Sequence, residues 1–175
     1  MRTWRLVCSA CDEQRRGDEL ASTCSKCGQP FLVEYDGAAP RLRDLAARWD
    51  MWRYAPLMPL QEDELPVTLG EGATPLIDLP AAARLTGVRR VWIKEEGLNP
   101  TGSFKARGMS AAVTRARGFG CNGLVVPTAG NAGAALAADL DPSVLLVHGP
   151  PAAFPRFERA DPTRGGEGQF FEQES

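Results

Sequence analysis

Histidine is almost missing from this chain: among 175 residues only His148 carries an imidazole, so any Ser-His-Asp or Cys-His triad would depend on it alone. It lies in Val144-Leu145-Leu146-Val147-His148-Gly149, read as a buried strand without a nucleophile elbow, and catalysis there is not expected. No apolar run is long enough to span a bilayer, which excludes a membrane-spanning helix. An excess of base is also lacking. Lys and Arg number 20 against 22 Asp and Glu, for a net charge of −2. Arg15-Arg16, Arg41 and Arg43 are interleaved with Asp12, Glu13, Asp18, Glu19 and Asp44, so no net basic stripe tracks phosphates and nucleic acid is not an expected partner. Met1 to Val7 is short, carries two arginines and has no apolar run behind it, unlike a secretory leader. A cytoplasmic, reducing setting is therefore expected, where disulfides are disfavoured.

What the chain does have is one sentence of local grammar written twice. Val91-Trp92-Ile93 is a short apolar stretch, Asn99-Pro100-Thr101-Gly102-Ser103-Phe104 is a turn, and Ala106 to Arg117 is free of proline and rich in alanine and arginine. Strand, turn and helix follow. Lys105 then sits at the positive end of a helix dipole, where a second cation is penalised and a nucleophilic amine is favoured, as a Schiff-base lysine requires. About twenty residues on, Gly123-Leu124-Val125-Val126 leads through Pro127-Thr128-Ala129-Gly130 into the Ala-rich stretch from Asn131 to Ala138. Two such units in series predict a βαβ-type arrangement with its loops gathered at the carboxyl ends of the strands. Small residues at Ala129, Gly130, Ala132 and Gly133 let a ligand approach the backbone, free amides at the helix start favour a carboxylate, and Asn131 offers both a donor and an acceptor.

Together with Gly70-Glu71-Gly72-Ala73-Thr74-Pro75-Leu76, the segments Lys94 to Lys105 and Pro127 to Gly133 resemble the pyridoxal-phosphate enzymes of the tryptophan-synthase-β fold type, and among these the threonine synthases. Three ordered motifs with family-like spacing, over roughly residues 66 to 138, are more specific than a lone glycine loop. The resemblance implies that Lys105 holds pyridoxal 5'-phosphate through its amine, with Ser103 and Asn131 as further cofactor contacts. It also implies that Thr128, Ala129, Gly130 and Asn131 receive the carboxylate of a small amino-acid substrate. Threonine synthases usually have serine where Thr128 stands, and a hydroxyl is kept. The implied reaction is that of a lyase of threonine biosynthesis, converting O-phosphohomoserine and water to threonine and phosphate. A serine/threonine dehydratase or another β-replacement enzyme would share Lys105 and Asn131, and a non-catalytic zinc-ribbon remnant is the reading from another class. The intact family also makes homo-oligomers an admissible state.

Ahead of these motifs, Cys8-Ser9-Ala10-Cys11 and Cys24-Ser25-Lys26-Cys27 form two C-x2-C pairs separated by twelve residues. Four thiolates can close a tetrahedral site with no position left for water, so the expected metal is a structural zinc that cross-links a segment too short to bury its own core. Disulfides or a thioredoxin-like pair are the competing readings. Ribbons of this sort resemble those on some threonine synthases. Cys121 has no partner in sequence and reads as a buried thiol.

The expected class is therefore α/β, a partial fold-type-II pyridoxal-phosphate domain behind a zinc-ribbon-like module. The expected organisation is module 1–37, helical linker 38–65, partial enzyme domain 66–149 and disordered tail 150–175. In the linker, Leu42, Leu45, Ala46, Trp49 and Trp52 predict an amphipathic helix over Arg41 to Tyr54, and Glu62-Asp63-Glu64 reads as a solvated loop. Ala81 to Leu85 reads as a short helix closed by Gly87. Lys94, Glu95 and Glu96 read as solvated or structural strand-end residues. Beyond Ala138 the family pattern stops, and Gly149-Pro150-Pro151, Asp161-Pro162 and Gly165-Gly166-Glu167-Gly168 give a tail that cannot supply regular βα units. The last of these comes after no strand and opens no helix, so it is not a phosphate loop. An interrupted reading frame near Ala138 and a poorly active, truncated enzyme are the expectation.

Overall fold

The computed structural model describes residues 3–121, 123–126 and 130–139, and the backbone of 145–147. His148 and the expected tail lie outside the described residues, as do Thr128 and Ala129.

The amino-terminal segment forms a three-stranded antiparallel sheet of β1 (Trp4–Cys8), β2 (Gln14–Arg16) and β3 (Phe31–Tyr35), in the order β2-β1-β3. Arg5 lies opposite Arg16 on one side and Glu34 on the other. Its guanidinium bonds Glu34 and Asp36, which offsets the like-charge pairing with Arg16. The sheet exposes Leu32 and Val33 and has little apolar interior. What it does instead is bring the two cysteine pairs together: Cys8 ends β1, and Cys24 leads into a tight turn in which the Gly28 amide donates to the Cys24 carbonyl at 2.8 Å.

The expected helix over residues 41–54 does not form. Two short 3-10 segments stand in its place, Leu42–Asp44 and Met51–Leu57. Asp50 is extended and its side chain accepts from the Trp52 amide at 2.9 Å, so it restarts the chain locally rather than continuing a helix, and Pro56, inside the second segment, has no amide to donate to the preceding turn as an α-helix would require. The apolar residues are consequently divided. Met51 and Trp52 join Leu60 in the core, whereas Leu42 and Trp49 remain in water. Gly72 allows its segment to close over this cluster: its φ is +113°, and a Cβ there would lie 2.5 Å from the Met51 backbone nitrogen.

Next come β4 (Leu76–Asp78), α1 (Pro80–Thr86) and β5 (Trp92–Lys94). The short helix matches the expected one, with proline at its first position and Gly87 in the left-handed conformation at its end. The strands match the expected βαβ-type arrangement in part. β6 (Gly123–Val125) and β7 (Leu145–Val147), on either side of the helix Asn131–Asp139 in sequence, pair in parallel, whereas β5 pairs antiparallel with β4, placing Ile77 opposite Ile93. The repeated strand-turn-helix grammar is real, but pairing is a non-local choice that the grammar does not specify.

Helix α2 (Lys105–Gly118) buries Ala106, Ser110, Val113 and Thr114, a single stripe at spacings of three and four. Helix α3 (Asn131–Asp139) packs against it and buries Gly133, Ala135, Leu136 and Asp139, with Gly133 and Ala135 small enough to permit close approach. No described helix is long and apolar enough to cross a membrane.

Candidate functional site

Lys105 is the first residue of α2, half-buried, with Nζ 5.1 Å from the centroid of the exposed Phe104 ring. The turn before it is shaped by Gly102, at φ +70°, whose amide donates to the Asn99 carbonyl at 2.8 Å. Within this turn Ser103 Oγ and Thr101 Oγ1 are buried and have no partner among the described residues. Unpaired buried hydroxyls cost about 1–3 kcal/mol each, so this turn has room for a polar group that neither side chain finds among the described residues. Asn131, the corresponding first residue of α3, is exposed and comes directly after Gly130. A polar ligand carrying an aldehyde and an anionic group, as pyridoxal phosphate does, fits these donors.

A polar network ties the Lys105 turn to the segment around Gly72. Arg107 donates from Nε to Glu96 Oε2 at 2.6 Å and from Nη2 to Glu96 Oε1 at 2.8 Å, a two-pronged ion pair. Thr74 Oγ1 donates to Glu96 Oε1 at 2.6 Å, and Asn99 Nδ2 donates to both the carbonyl and the carboxylate of Glu96. Asn99 Oδ1 in turn accepts from the Gly72 amide at 3.0 Å. Lys94 Nζ bonds the Thr74 carbonyl. Glu96 was open in sequence to a merely solvated role, and the structure makes it the centre of this network. No local spacing announces this, because its partner Arg107 belongs to another element.

A second buried acid, Glu71, is 1% exposed. Its carboxylate accepts from Trp52 Nε1 at 3.1 Å, from Thr68 Oγ1 at 2.9 Å and from the Leu69 amide at 2.9 Å. Burial pushes this carboxyl up, but its polar neighbours, Ser110 foremost, more than offset that and hold it below its usual range. Trp52 also donates to Ser110 Oγ, so one indole fastens the linker to both the Gly72 segment and α2. Trp52→Ala should therefore destabilise the fold by about 3–5 kcal/mol, measured as a shift of the urea midpoint. A shift worth less than about 1 kcal/mol would mean that the cluster collapses around the missing ring.

The acids also set a pH dependence. Arg107, against burial and with help from Thr74 and Asn99, holds the Glu96 carboxyl down at about 2. A depressed acid stabilises the fold above its unfolded value and loses that contribution as pH falls through its folded value. Asp139 behaves oppositely, because burial, then the charge of Glu71, raises its carboxyl to about 6. Its stabilising contribution is present in acid and is lost as pH rises through about 6. Urea midpoints measured from pH 2 to 8 should show both limbs. Glu96→Gln is expected to flatten the acid limb and Asp139→Asn the limb near pH 6, and unchanged limbs would contradict this assignment.

The four cysteines of the two C-x2-C pairs converge, with all four sulfurs within 4.8 Å of one another. Cys8 Sγ is 3.4 Å from Cys27 Sγ, and Cys11 Sγ is 3.6 Å from Cys24 Sγ and 3.7 Å from Cys27 Sγ. Four thiolates about 2.3 Å from one tetrahedral ion would stand about 3.8 Å apart, so the cluster fits a single metal with little adjustment. Amides point at the sulfurs: Ala10 N–H donates to Cys8 and Lys26 N–H to Cys24. The first of these, despite burial, lowers the Cys8 thiol to about 7, whereas Cys11, although the Glu13 amide pulls it down, is raised to about 12 by Cys8, burial and the other two sulfurs. Cys121 lies outside the cluster and is half-buried rather than buried.

Residues 67–139 match a family model described as pyridoxal-phosphate dependent enzyme. The threonine synthase of Methanosarcina acetivorans is 38% identical over 137 residues, which is 77% of this chain and 33% of that protein. That of Methanocaldococcus jannaschii is 34% identical over 138 residues, covering 75% and 33% respectively. That of a Synechocystis strain is 45% identical over 96 residues, covering 53% and 25%. The chain spans about a third of the length of the first two. The family match includes the Lys105 turn and the Glu96 network, and through residue 139 the chain is recognisably similar to the threonine synthases among the pyridoxal-phosphate dependent enzymes.

Proposed function

We propose that this chain carries the lysine-bearing part of a threonine synthase-like enzyme that holds pyridoxal 5'-phosphate through Lys105. The observation that carries the reading is Lys105 at the start of α2, reached through a turn whose Ser103 and Thr101 hydroxyls are buried without partners among the described residues. Lys105 Nζ would hold the cofactor, Ser103 and Asn131 would hydrogen-bond it, and Thr128, Ala129, Gly130 and Asn131 would receive the substrate carboxylate. Bound, the cofactor supplies a conjugated ring that stores carbanion charge. The chain's own share is to orient the reactants and, at Lys105 Nζ, to carry protons to and from the α and β carbons of the substrate. The Glu96–Arg107 pair fixes the first turns of α2, and with them the direction from which that amine approaches.

O-phosphohomoserine is the proposed substrate and the cytoplasm the proposed setting, both on the likeness to threonine synthases. The 175-residue polypeptide by itself is proposed to have little or no turnover. Leu76, Trp92, Ile93, Leu98 and Phe104 around the Lys105 turn and the β4–β5 sheet are exposed, so this region lacks the dry surroundings on which preorganised electrostatics depend. The four-cysteine cluster is proposed to bind one structural zinc ion. Its four sulfurs all lie within 4.8 Å of one another, with approaches of 3.4 and 3.6 Å running between the two C-x2-C pairs, which favours a shared ion over a redox pair confined to either motif.

Titration of the purified protein with pyridoxal phosphate, followed by visible absorbance and by elemental analysis for zinc, tests both parts. A saturable band and one zinc per chain are expected. A featureless titration would remove the cofactor reading, and protein purified without chelator but free of metal would remove the zinc reading.

A further inference from the structure

Three segments distant in sequence meet at one arginine. Arg115, on the last turn of α2, pairs through Nη1 with Glu64 and donates from Nη2 to the Gly17 carbonyl at 2.8 Å. Its guanidinium also lies over the Trp4 ring, 5.1 Å from the centroid, and over Phe119 at 4.4 Å. Both charges of the ion pair are withdrawn from water, with side-chain exposures of 16% for Arg115 and 4% for Glu64. Trp4 begins β1, the strand that ends in Cys8, Gly17 comes directly after β2, Glu64 belongs to the linker and Arg115 to the helix that begins at Lys105.

The surrounding contacts leave this junction little freedom. Trp4 Nε1 donates to the Leu60 carbonyl at 3.1 Å, which seats the indole on the linker. Gly17 lies flat against that indole, where a Cβ would stand 2.7 Å from ring carbons. Glu64 Oε2 accepts from the Gln61 amide at 3.1 Å, and its Oε1 fills the place where a Cβ on Gly118 would be. A buried ion pair of this kind is favourable only while its remaining donors are satisfied. One of those donors is satisfied solely by the backbone carbonyl of Gly17, just beyond β2, and the flat face of the guanidinium is covered by Trp4 of β1.

We infer that Arg115 couples metal occupancy of the four-cysteine cluster to the order of α2. This rests on zinc binding at the four cysteines and does not require the cofactor reading. The cysteine-bearing sheet has almost no apolar interior, so its fold depends on the ion, and loss of the ion would withdraw both the Gly17 carbonyl and the Trp4 ring. Arg115 and Glu64 would then be left half-desolvated at the end of α2, and the last turns of the helix would open more often. By linkage the effect is reciprocal: removing the guanidinium weakens metal retention.

Hydrogen exchange of the full chain, with and without zinc chelation under reducing conditions, tests this alongside elemental analysis. In the unsubstituted protein, chelation should speed exchange of amides 113–119 by about tenfold or more. Arg115→Met, which keeps an unbranched apolar stem, should retain zinc at saturation but release it to chelator several-fold sooner, with 113–119 already fast and no longer responsive. Arg115→Lys keeps the charge but loses the two-pronged geometry, and should fall between. Two results would overturn the coupling: unchanged exchange at 113–119 after complete metal loss, or an Arg115→Met protein that still shows the full response. Protein that never contains metal would overturn it by a separate route, since elemental analysis would identify the metal reading as the failed step.

Discussion

Lys105→Ala should abolish the visible band that pyridoxal phosphate acquires on binding, with no measurable change in the urea midpoint. The reason for so complete a loss is that only an amine can make the covalent attachment, and no neighbouring side chain is placed to substitute. Lys94, in the adjoining motif, has its Nζ engaged with Thr74. The fold should be indifferent because Lys105 is half-buried at a helix start and makes one ring contact, with exposed Phe104. Alanine is also a better helix former than lysine. A Lys105→Ala protein that keeps a saturable band would place the attachment elsewhere and remove the reading. Phosphate release from O-phosphohomoserine by the 175-residue polypeptide is expected to stay at the level of this same variant. Robust turnover would show that surroundings too exposed for the chemistry have been wrongly inferred from the open face of β4 and β5.

Cys24→Ser is the second large effect. Cys24 is 2% exposed, accepts from the Lys26 amide and stands 3.6 Å from Cys11, so its sulfur is enclosed by neighbouring cysteine and backbone atoms. A serine hydroxyl is a poor ligand at neutral pH and is shorter than the thiol it replaces. The loss in metal affinity should exceed the roughly 10–100-fold that removal of an outer-sphere partner costs a metal site. Because the three short strands bury little, the module should lose its structure with the ion. Elemental analysis and hydrogen exchange over residues 4–35 would read both changes. Cys121→Ser, outside the cluster, is the matched control and should retain a full complement of metal. Equal zinc content in the two variants would contradict a four-thiolate site.

Much of this was legible from spacing alone. The two C-x2-C pairs foretold a cluster of four sulfurs because each pair is a local turn, and two local turns need only one sheet to bring them together. The same holds for α1, punctuated by Pro80 and Gly87, and for α2 and α3, whose alanine-rich runs begin after polar turns. The linker was misread for the same reason in reverse. Leu42, Trp49 and Trp52 have helical spacing, but Asp50 offers the backbone a competing hydrogen bond and Trp52 is drawn by Glu71 and Ser110, so the periodicity never acts as a face. Glu64, read as solvated, is buried against Arg115, a partner 51 positions away.

The sequence by itself determined which groups are available for chemistry: an amine at a helix start, four cysteine sulfurs in two pairs, and a family likeness carried by three motifs. Those features depend on residues a few positions apart, where turn, cap and helix preferences act without help. Only the tertiary structure decided which strands pair, that Glu96, Glu71 and Glu64 are held acids rather than solvated ones, and that Arg115 joins the cysteine module to the helix of Lys105. Each of these requires two distant segments to exclude water from a shared polar contact. The strength of such a contact is set by what covers it, and that is a property of packing.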